Sequence, residues 1–370
     1  MNKNIQYKKL GEVCDFIAGG TPSKSKIEYW KDGNIPWIKI SDFKEKYIKI
    51  SAEKITKIGL EKSSAKILEK GTILYTIFAS VGKVAILDME ATTNQAIVGI
   101  NLKKDISIDK DFLYYFLCSI ENNVKNQARG VAQNNINISI LKNINIPIFS
   151  LSSQKNIAKM LSEVENFLEN LKRKKSLVNI LNKSLFITFN KNGIEKRLDD
   201  IADISMGQSP LSQSYNIDKK GLPFYQGKTE FGDIYIKEPI IYCNSPIKIV
   251  EKNDILMSVR APVGDVNIAT QKSCIGRGLA SIRAKKVDYL YLFYLLKERK
   301  IKIEKMGVGS TFKAINKNNI SSLQIPIIEM SKQNRIKKYL TLIEKLSFEI
   351  EKSIKEAENL YNSLMNKYFD

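Results

Sequence analysis

The chain contains one long passage twice. Ile146-Pro147-Ile148, followed by Leu151-Ser152-Ser153-Gln154-Lys155-Asn156-Ile157, returns 179 positions later as Ile325-Pro326-Ile327, followed by Met330-Ser331-Lys332-Gln333-Asn334-Arg335-Ile336. Further upstream, Lys70 to Gly82 matches Lys252 to Gly264. The openings match as well: Leu10-Gly11-Glu12-Val13 with Gly19-Gly20-Thr21-Pro22, against Leu198-Asp199-Asp200-Ile201 with Gly207-Gln208-Ser209-Pro210. A period near half of 370 residues is far too long for a solenoid unit of about 20–50 residues. It marks a duplicated domain, which predicts pseudo-two-fold symmetry and two related but unequal binding surfaces.

Each copy reads as short strands and turns that run into a long helix. Lys70 to Leu87 predicts a hairpin, with β-branched and aromatic residues on both sides of an Ala79–Lys83 turn. Asp111 to Ile120 predicts a buried helix, and the second copy repeats both features at Lys252–Ile268 and Asp288–Leu296. Pro147 and Pro326 close the domains, and Ser152 and Ser331 are the expected helix N-caps. Beyond them apolar residues keep a 4-3 spacing. In the first helix these are Ile157, Leu161, Val164, Leu168, Leu171, Val178 and Leu185; in the second they are Ile336, Leu340, Ile343, Ile350, Ile354, Ala357, Tyr361 and Leu364. Held for about four heptads, that spacing is a coiled-coil seam, interrupted by the polar residues Lys175, Asn182 and Ser347.

Two such helices in one chain should pair with each other, because their local concentration is high. A two-fold operation makes the pair antiparallel. The expected fold is therefore α/β (α+β): two pseudo-two-fold-related globular domains joined by two long helices in an antiparallel coiled coil. Its parts are a domain over 1–150, a helix over 151–190, a domain over 191–330 and a helix over 331–370. The inferred shape is a dumbbell with a bar of about 35–38 residues of helix, roughly 50–57 Å.

A net charge of +20 and a pI near 9.5 suit a polyanionic partner, of which nucleic acid is the commonest. Histidine is absent, which removes the commonest general base and neutral metal ligand. Cys14, Cys118, Cys243 and Cys274 are too far apart for a CxxC zinc knuckle. A polar start and the lack of an apolar run near 18 residues predict a cytoplasmic protein without a membrane segment.

Catalytic readings fail one by one. Gly227-Lys228-Thr229 ends like a phosphate-binding loop, but Gly221 is one residue too far upstream and Pro223, Phe224 and Tyr225 cannot form the cradle. Asn34-Ile35-Pro36-Trp37 echoes the motif of amino methyltransferases but reads better as a strand start. Asp288 with Glu298-Arg299-Lys300 has loose nuclease spacing, in a stretch that is helical and has no counterpart in the first copy. The chain is expected to catalyse nothing by itself.

A Gly-x-Thr/Ser-Pro opening followed by Ile35-Pro36-Trp37 or Leu222-Pro223-Phe224, the Val-Gly hairpin, the Gly309–Asn316 stretch and the Ile-Pro-to-helix junction form a set. Together, in this order over the whole chain, they resemble the specificity subunit of a type I restriction–modification system. The resemblance implies two target-recognition domains on double-stranded DNA, each reading half of a bipartite site. It also implies that the helices dock two modification subunits, which methylate adenine N6 with S-adenosylmethionine, and that two restriction (motor-nuclease) subunits complete the enzyme. S-adenosylmethionine, ATP and Mg are then expected on those partners, with no cofactor on this chain and no metal. Gly130–Asn137 in the first copy differs from Gly309–Asn316 in the second, so the two half-sites should differ.

Base readout favours Arg, Lys, Asn and Gln, and phosphates take Lys, Arg, Ser and Thr. The loop residues of these types are Lys24, Lys26, Lys39, Ser41, Lys44, Arg129, Gln133, Asn134 and Asn135 in the first domain. In the second they are Gln226, Lys228, Thr229, Arg260, Arg277, Lys313, Asn316 and Lys317. For Arg277, between two glycines, a turn role competes. A different class of function, a basic coiled-coil scaffold for RNA or an acidic partner, would call for solvent-facing aromatics to stack on bases. Most aromatics here lie within apolar runs.

Overall fold

The computed structural model describes residues 6–121, 136–307 and 314–369. The chain divides into two compact units, Met1–Leu171 with Ser353–Asp370, and Lys172–Lys352.

In the first unit the expected hairpin forms as Ile73–Thr76 against Val84–Leu87, antiparallel, with Ile73 opposite Ile86. Its turn is held by one side chain: the Thr76 hydroxyl accepts from the Lys83 N–H (2.9 Å) and donates to the Ser80 carbonyl. Gly82 supplies a φ of +96°, which costs an L side chain dearly. The hairpin lies in a five-stranded sheet ordered Cys14–Ala18, Ile97–Leu102, Ile73–Thr76, Val84–Leu87, Tyr47–Ile48. Glu53–Ile55, Ile35–Ile38 and Thr92–Thr93 make a second, three-stranded sheet. The helix Lys110–Ser119, capped by Asp109, buries Phe112 through Leu117 against Ile73, Tyr75, Val98 and Ile100. Gln6–Lys9 and Asn145–Ile148 form a separate ribbon with Tyr7 opposite Pro147. A proline, lacking the N–H, fits a two-stranded ribbon whose outer edge needs no donor.

The second unit repeats this plan. Ile255–Ser258 pairs antiparallel with Val266–Ile268, and Ser258 takes the place of Thr76: its hydroxyl accepts from Asp265 N–H (3.0 Å) and donates to the Pro262 carbonyl (2.9 Å). The strands order as Ala202–Met206, Leu279–Ala284, Ile255–Ser258, Val266–Ile268 in one sheet. A second sheet orders Tyr215–Asn216, Ile241–Cys243, Leu222–Tyr225, Ser273–Ile275, Ile249–Val250. Tyr289–Glu298, capped by Asp288, is the buried helix, and Ile194–Arg197 pairs with Gln324–Ile327 with Glu195 opposite Pro326.

The long helices are Leu151–Asn190 and Met330–Phe369, each of 40 residues. They begin earlier than the serines suggested. The first helical bond runs from Gln154 N–H to the Ser150 carbonyl (2.9 Å), and the Ser150 hydroxyl accepts from Ser153 N–H (3.3 Å), so Ser150 caps and Ser152 lies inside the first turn. In the second helix the same bond runs from Gln333 N–H to Glu329 (3.0 Å), which likewise displaces Ser331. The repeated glutamine anchors each helix to its domain. Gln154, fully buried, accepts from Asp109 N–H (2.8 Å) and donates to the carbonyls of Phe149 (2.8 Å) and Ser107 (3.3 Å). Gln333 accepts from Asp288 N–H (3.3 Å) and donates to the Ile328 carbonyl (2.7 Å). Both thus dock onto the cap of the domain helix.

Within each unit the helix segments run antiparallel. In the first, Leu168 and Leu171 pack with Ala357 and Ile354, while Leu161 shares a core with Met365. In the second, Lys175 pairs with Glu351 (2.8 Å) and Phe189 meets Tyr339 (6.1 Å between ring centroids). Ile157, Leu161, Leu168, Leu171, Val178, Ile336, Leu340, Ile343, Ile350 and Ala357 are buried; Val164, Ile354, Tyr361 and Leu364 are half-buried. Each fully buried apolar side chain stabilises by about 1.5–3 kcal/mol. At the far end of the first seam Leu185 is only half-buried and Phe186 is the buried residue. The polar positions Lys175, Asn182 and Ser347 all line one cavity of about 380 Å³ in the second unit.

Candidate nucleic-acid interface

In the second unit a run of backbone hydrogen bonds collects the basic loops at one end of the four-stranded sheet. The Gln226 carbonyl accepts from Gly278 N–H (3.1 Å), the Gly278 carbonyl from Val259 N–H (2.9 Å), and the Val259 carbonyl from Ile315 N–H (3.0 Å). Arg260 bridges Ala314. Gln226, Arg277, Arg260 and Asn316 thereby belong to neighbouring segments, and Gln226, Thr229, Arg260, Arg277, Asn316 and Lys317 are all exposed. Lys228 is half-buried, its ammonium 2.6 Å from Asp265, which also holds Lys300 at 2.5 Å. The Asn316 side-chain oxygen is engaged as a helix cap, accepting from Asn319 N–H at 3.0 Å.

In the first unit Glu53 binds two of the expected lysines, Lys24 (2.6 Å) and Lys39. These hydrogen bonds, from Lys24 first and then Lys39, hold the Glu53 carboxyl below the usual carboxylate range. Lys24 also sits 3.5 Å above the Trp30 ring, a cation–π contact. Lys26, Ser41 and Lys44 are exposed. Arg129, Gln133, Asn134, Asn135 and Lys313 lie outside the described residues.

The repeated opening motif has a local purpose. Gly19 N–H donates to the Ile97 carbonyl (3.1 Å) and Gly20 N–H to Thr93 (2.8 Å); Gly207 N–H donates to Leu279 (2.9 Å) and Gln208 N–H to Ile275 (3.1 Å). Each pair clamps a three-residue turn, Asn94-Gln95-Ala96 in one unit and Gly276-Arg277-Gly278 in the other. The approach is so close that a Cβ on Gly19 would stand 2.0 Å from the Asn94 carbonyl oxygen, and one on Gly207 2.2 Å from that of Gly276. The motif's hydroxyl then touches the turn's middle residue. Thr21 donates to the Gln95 side-chain oxygen, and Ser209 accepts from Arg277 N–H (3.2 Å). Both turns also lean on the neighbouring sheet, Asn94 N–H on Ile38 (3.0 Å) and Gly276 N–H on Tyr225 (2.9 Å), just before Lys39 and Gln226 respectively.

Gln95, exposed at the place of Arg277, was missed by residue type and loop position alone. The signal that finds it is the hairpin match itself, whose shift of 182 positions carries Gln95 onto Arg277. The carboxylates with nuclease-like spacing do not converge. Asp288 caps its helix and pairs with Lys337 (2.6 Å), while Arg299 pairs with Glu195 (3.0 Å).

Residues 2–179 and 191–358 match the type I restriction modification DNA specificity domain, once for each copy of the repeat. The chain belongs to the type I restriction–modification DNA specificity family. It is 35% identical to the MjaX specificity subunit of Methanocaldococcus jannaschii, named as belonging to a type I restriction enzyme, over 98% of this chain and 92% of that one. A chain from a solved study of complex assembly and conformational transition in a type I R-M system is 25% identical, with TM-score 0.60, covering 100% of this chain and 98% of that one. The S subunit from M. genitalium shares the fold, with TM-score 0.65 at 19% identity, covering 100% and 98%. DNA-sequence recognition is the role that this membership assigns to the chain.

Proposed function

We propose that this subunit reads a bipartite, asymmetric double-stranded DNA site, one half with residues 1–150 and the other with 191–330, while 151–190 and 331–370 serve as spacer helices. The observation that carries the reading is the clamped turn: both units present the same backbone device beside lysine- and arginine-bearing loops, but with different side chains at its tip. Lys24, Lys26, Lys39, Ser41 and Lys44 in the first unit, and Gln226, Lys228, Thr229, Arg260 and Lys317 in the second, supply phosphate and groove contacts. The subunit contributes recognition and no catalysis. Modification subunits bring S-adenosylmethionine and adenine-N6 methylation, restriction subunits bring ATP- and Mg-dependent translocation and cleavage, and the complex works in the cytoplasm.

Two modification subunits fit the helix surfaces. In the first unit Met160, Val164, Phe167, Ala357, Leu360 and Leu364 line an apolar groove in which Phe167 and Leu360 are exposed. A shift of 179 carries Phe167 to Leu346 and Leu360 back to Leu181, both exposed in the second unit. One apolar patch in each unit suits two copies of a single helical partner.

The test is a salt titration of duplex binding. Several phosphates neutralised per domain imply a log–log slope of roughly −5 to −10. A salt-insensitive affinity would remove the electrostatic basis of the proposal. Exchanging residues 1–150 for those of a relative should change one half of the methylated site, and a change in both halves would refute the division.

A further inference from the structure

We infer that Gln95 and Arg277 are equivalent specificity-determining residues, each reading a purine in its own half-site: adenine by Gln95, guanine by Arg277. The inference rests on the DNA-reading role proposed above and adds the residues and bases. Both side chains stand exposed at the tip of a turn whose backbone is fixed from two sides in the first unit and three in the second. The opening glycine clamps the turn on one side, the adjacent sheet supports it through Asn94 or Gly276, and the motif hydroxyl meets its middle residue. A rigid base under an exposed polar side chain is what base readout needs, because a contact pinned by its backbone loses little freedom on binding.

The chemistry of each tip follows from its hydrogen-bond inventory. The Thr21 hydroxyl lies against the Gln95 side-chain oxygen. The oxygen keeps a second lone pair and the NH2 keeps its donors, a pattern that matches adenine N6–H and N7. Ser209 holds Arg277 through the backbone N–H, leaving the whole guanidinium fork for O6 and N7 of guanine. The glycines on either side of Arg277 also acquire a reason. A Cβ on Gly278 would meet the Gln226 carbonyl at 2.4 Å, so the turn packs against the next loop only without side chains there.

The experiment selects DNA from a pool of randomised duplexes with the full chain and its modification subunits, then sequences what is retained. Wild type should return two half-sites. Gln95→Arg should change one base pair in one half from A·T to G·C and leave the other half untouched; Arg277→Gln should act only in the second half, in the opposite sense. Each variant should lose about 5- to 150-fold in affinity for the wild-type site. Wild-type half-sites returned unchanged by both variants would overturn the inference while leaving the DNA-reading role intact. A wild-type pool with no consensus would overturn both. Both side chains are exposed, so an unchanged melting temperature is expected and separates lost reading from lost folding.

Discussion

Replacing Gln154 by leucine tests whether the repeated glutamine is the joint between domain and helix. Leucine is close in size but can neither accept from Asp109 N–H nor donate to the carbonyls of Phe149 and Ser107, at a position with no solvent exposure. Each buried polar group left without its partner costs about 1–3 kcal/mol, and the longest of the three contacts contributes least. The gain from burying an apolar side chain offsets part of this, which leaves about 2–4 kcal/mol. Gln333→Leu removes two contacts, one of them long at 3.3 Å, and should cost less, about 1–3 kcal/mol. Urea unfolding of the purified chain gives the midpoints. Ser152→Ala is the control: Ser152 lies exposed inside the first turn, so its loss should stay within about 0.5 kcal/mol. A shift below about 1 kcal/mol for Gln154→Leu, or a larger effect from Ser152→Ala, would refute the account of the joint.

Glu53→Gln should release Lys24 and Lys39, raising affinity for non-specific duplex and steepening its salt slope by up to about two charges; an unchanged slope would argue against both lysines as phosphate ligands. Because the folded Glu53 carboxyl titrates below its ordinary range, its pairing adds stability above that range and loses it as pH falls through the folded value. The stability difference between wild type and Glu53→Gln should therefore shrink as pH falls below the ordinary carboxylate range, as read by unfolding midpoints along a series from pH 7 into acid. Burial pushes the thiols of Cys14, Cys118 and Cys274 up to about 12, so at pH 8 they should resist a thiol reagent until the chain is unfolded. Rapid labelling of any of the three in the native chain would contradict the packing described.

The scaffold was legible because its demands are periodic or local. A 4-3 apolar spacing needs a partner helix, and the burial of Leu161, Leu168 and Leu340 follows from it. The hairpin was readable from β-branched residues flanking a Val-Gly turn. Less legible were the places where a tertiary contact decides. Ser150 caps instead of Ser152, because Gln154 must sit four positions beyond the cap to reach Asp109. Phe186 rather than Leu185 closes the seam, because it meets Tyr291 and Tyr294 of the domain helix (ring centroids 5.9 and 6.2 Å), which no heptad pattern encodes. Lys24 and Lys39 were legible as loop cations, but the carboxylate that binds both arrives on a different strand, beside Trp37.

The duplication also separates two kinds of constraint that are usually entangled. Where the backbone of both copies has the same task, the residues agree or substitute within one chemistry: Gly19 and Gly207 for close approach, Thr21 and Ser209 for a hydroxyl, Thr76 and Ser258 for the hairpin turn, Gln154 and Gln333 for the helix joint. Where the side chain's partner lies outside the chain, the copies have no reason to agree. Gln95 and Arg277 occupy one backbone position held by corresponding backbone bonds, yet carry a neutral amide and a guanidinium, and the motif hydroxyl meets the side chain of one and the backbone N–H of the other. Phe78 and Arg260, also 182 apart and both on the turn after the first hairpin strand, diverge in the same way. If the tip residues served the fold alone, the shared backbone clamp around them would favour similar side chains. The scaffold agrees and the tip does not, which is the pattern expected if the tips answer to two different half-sites rather than to the fold.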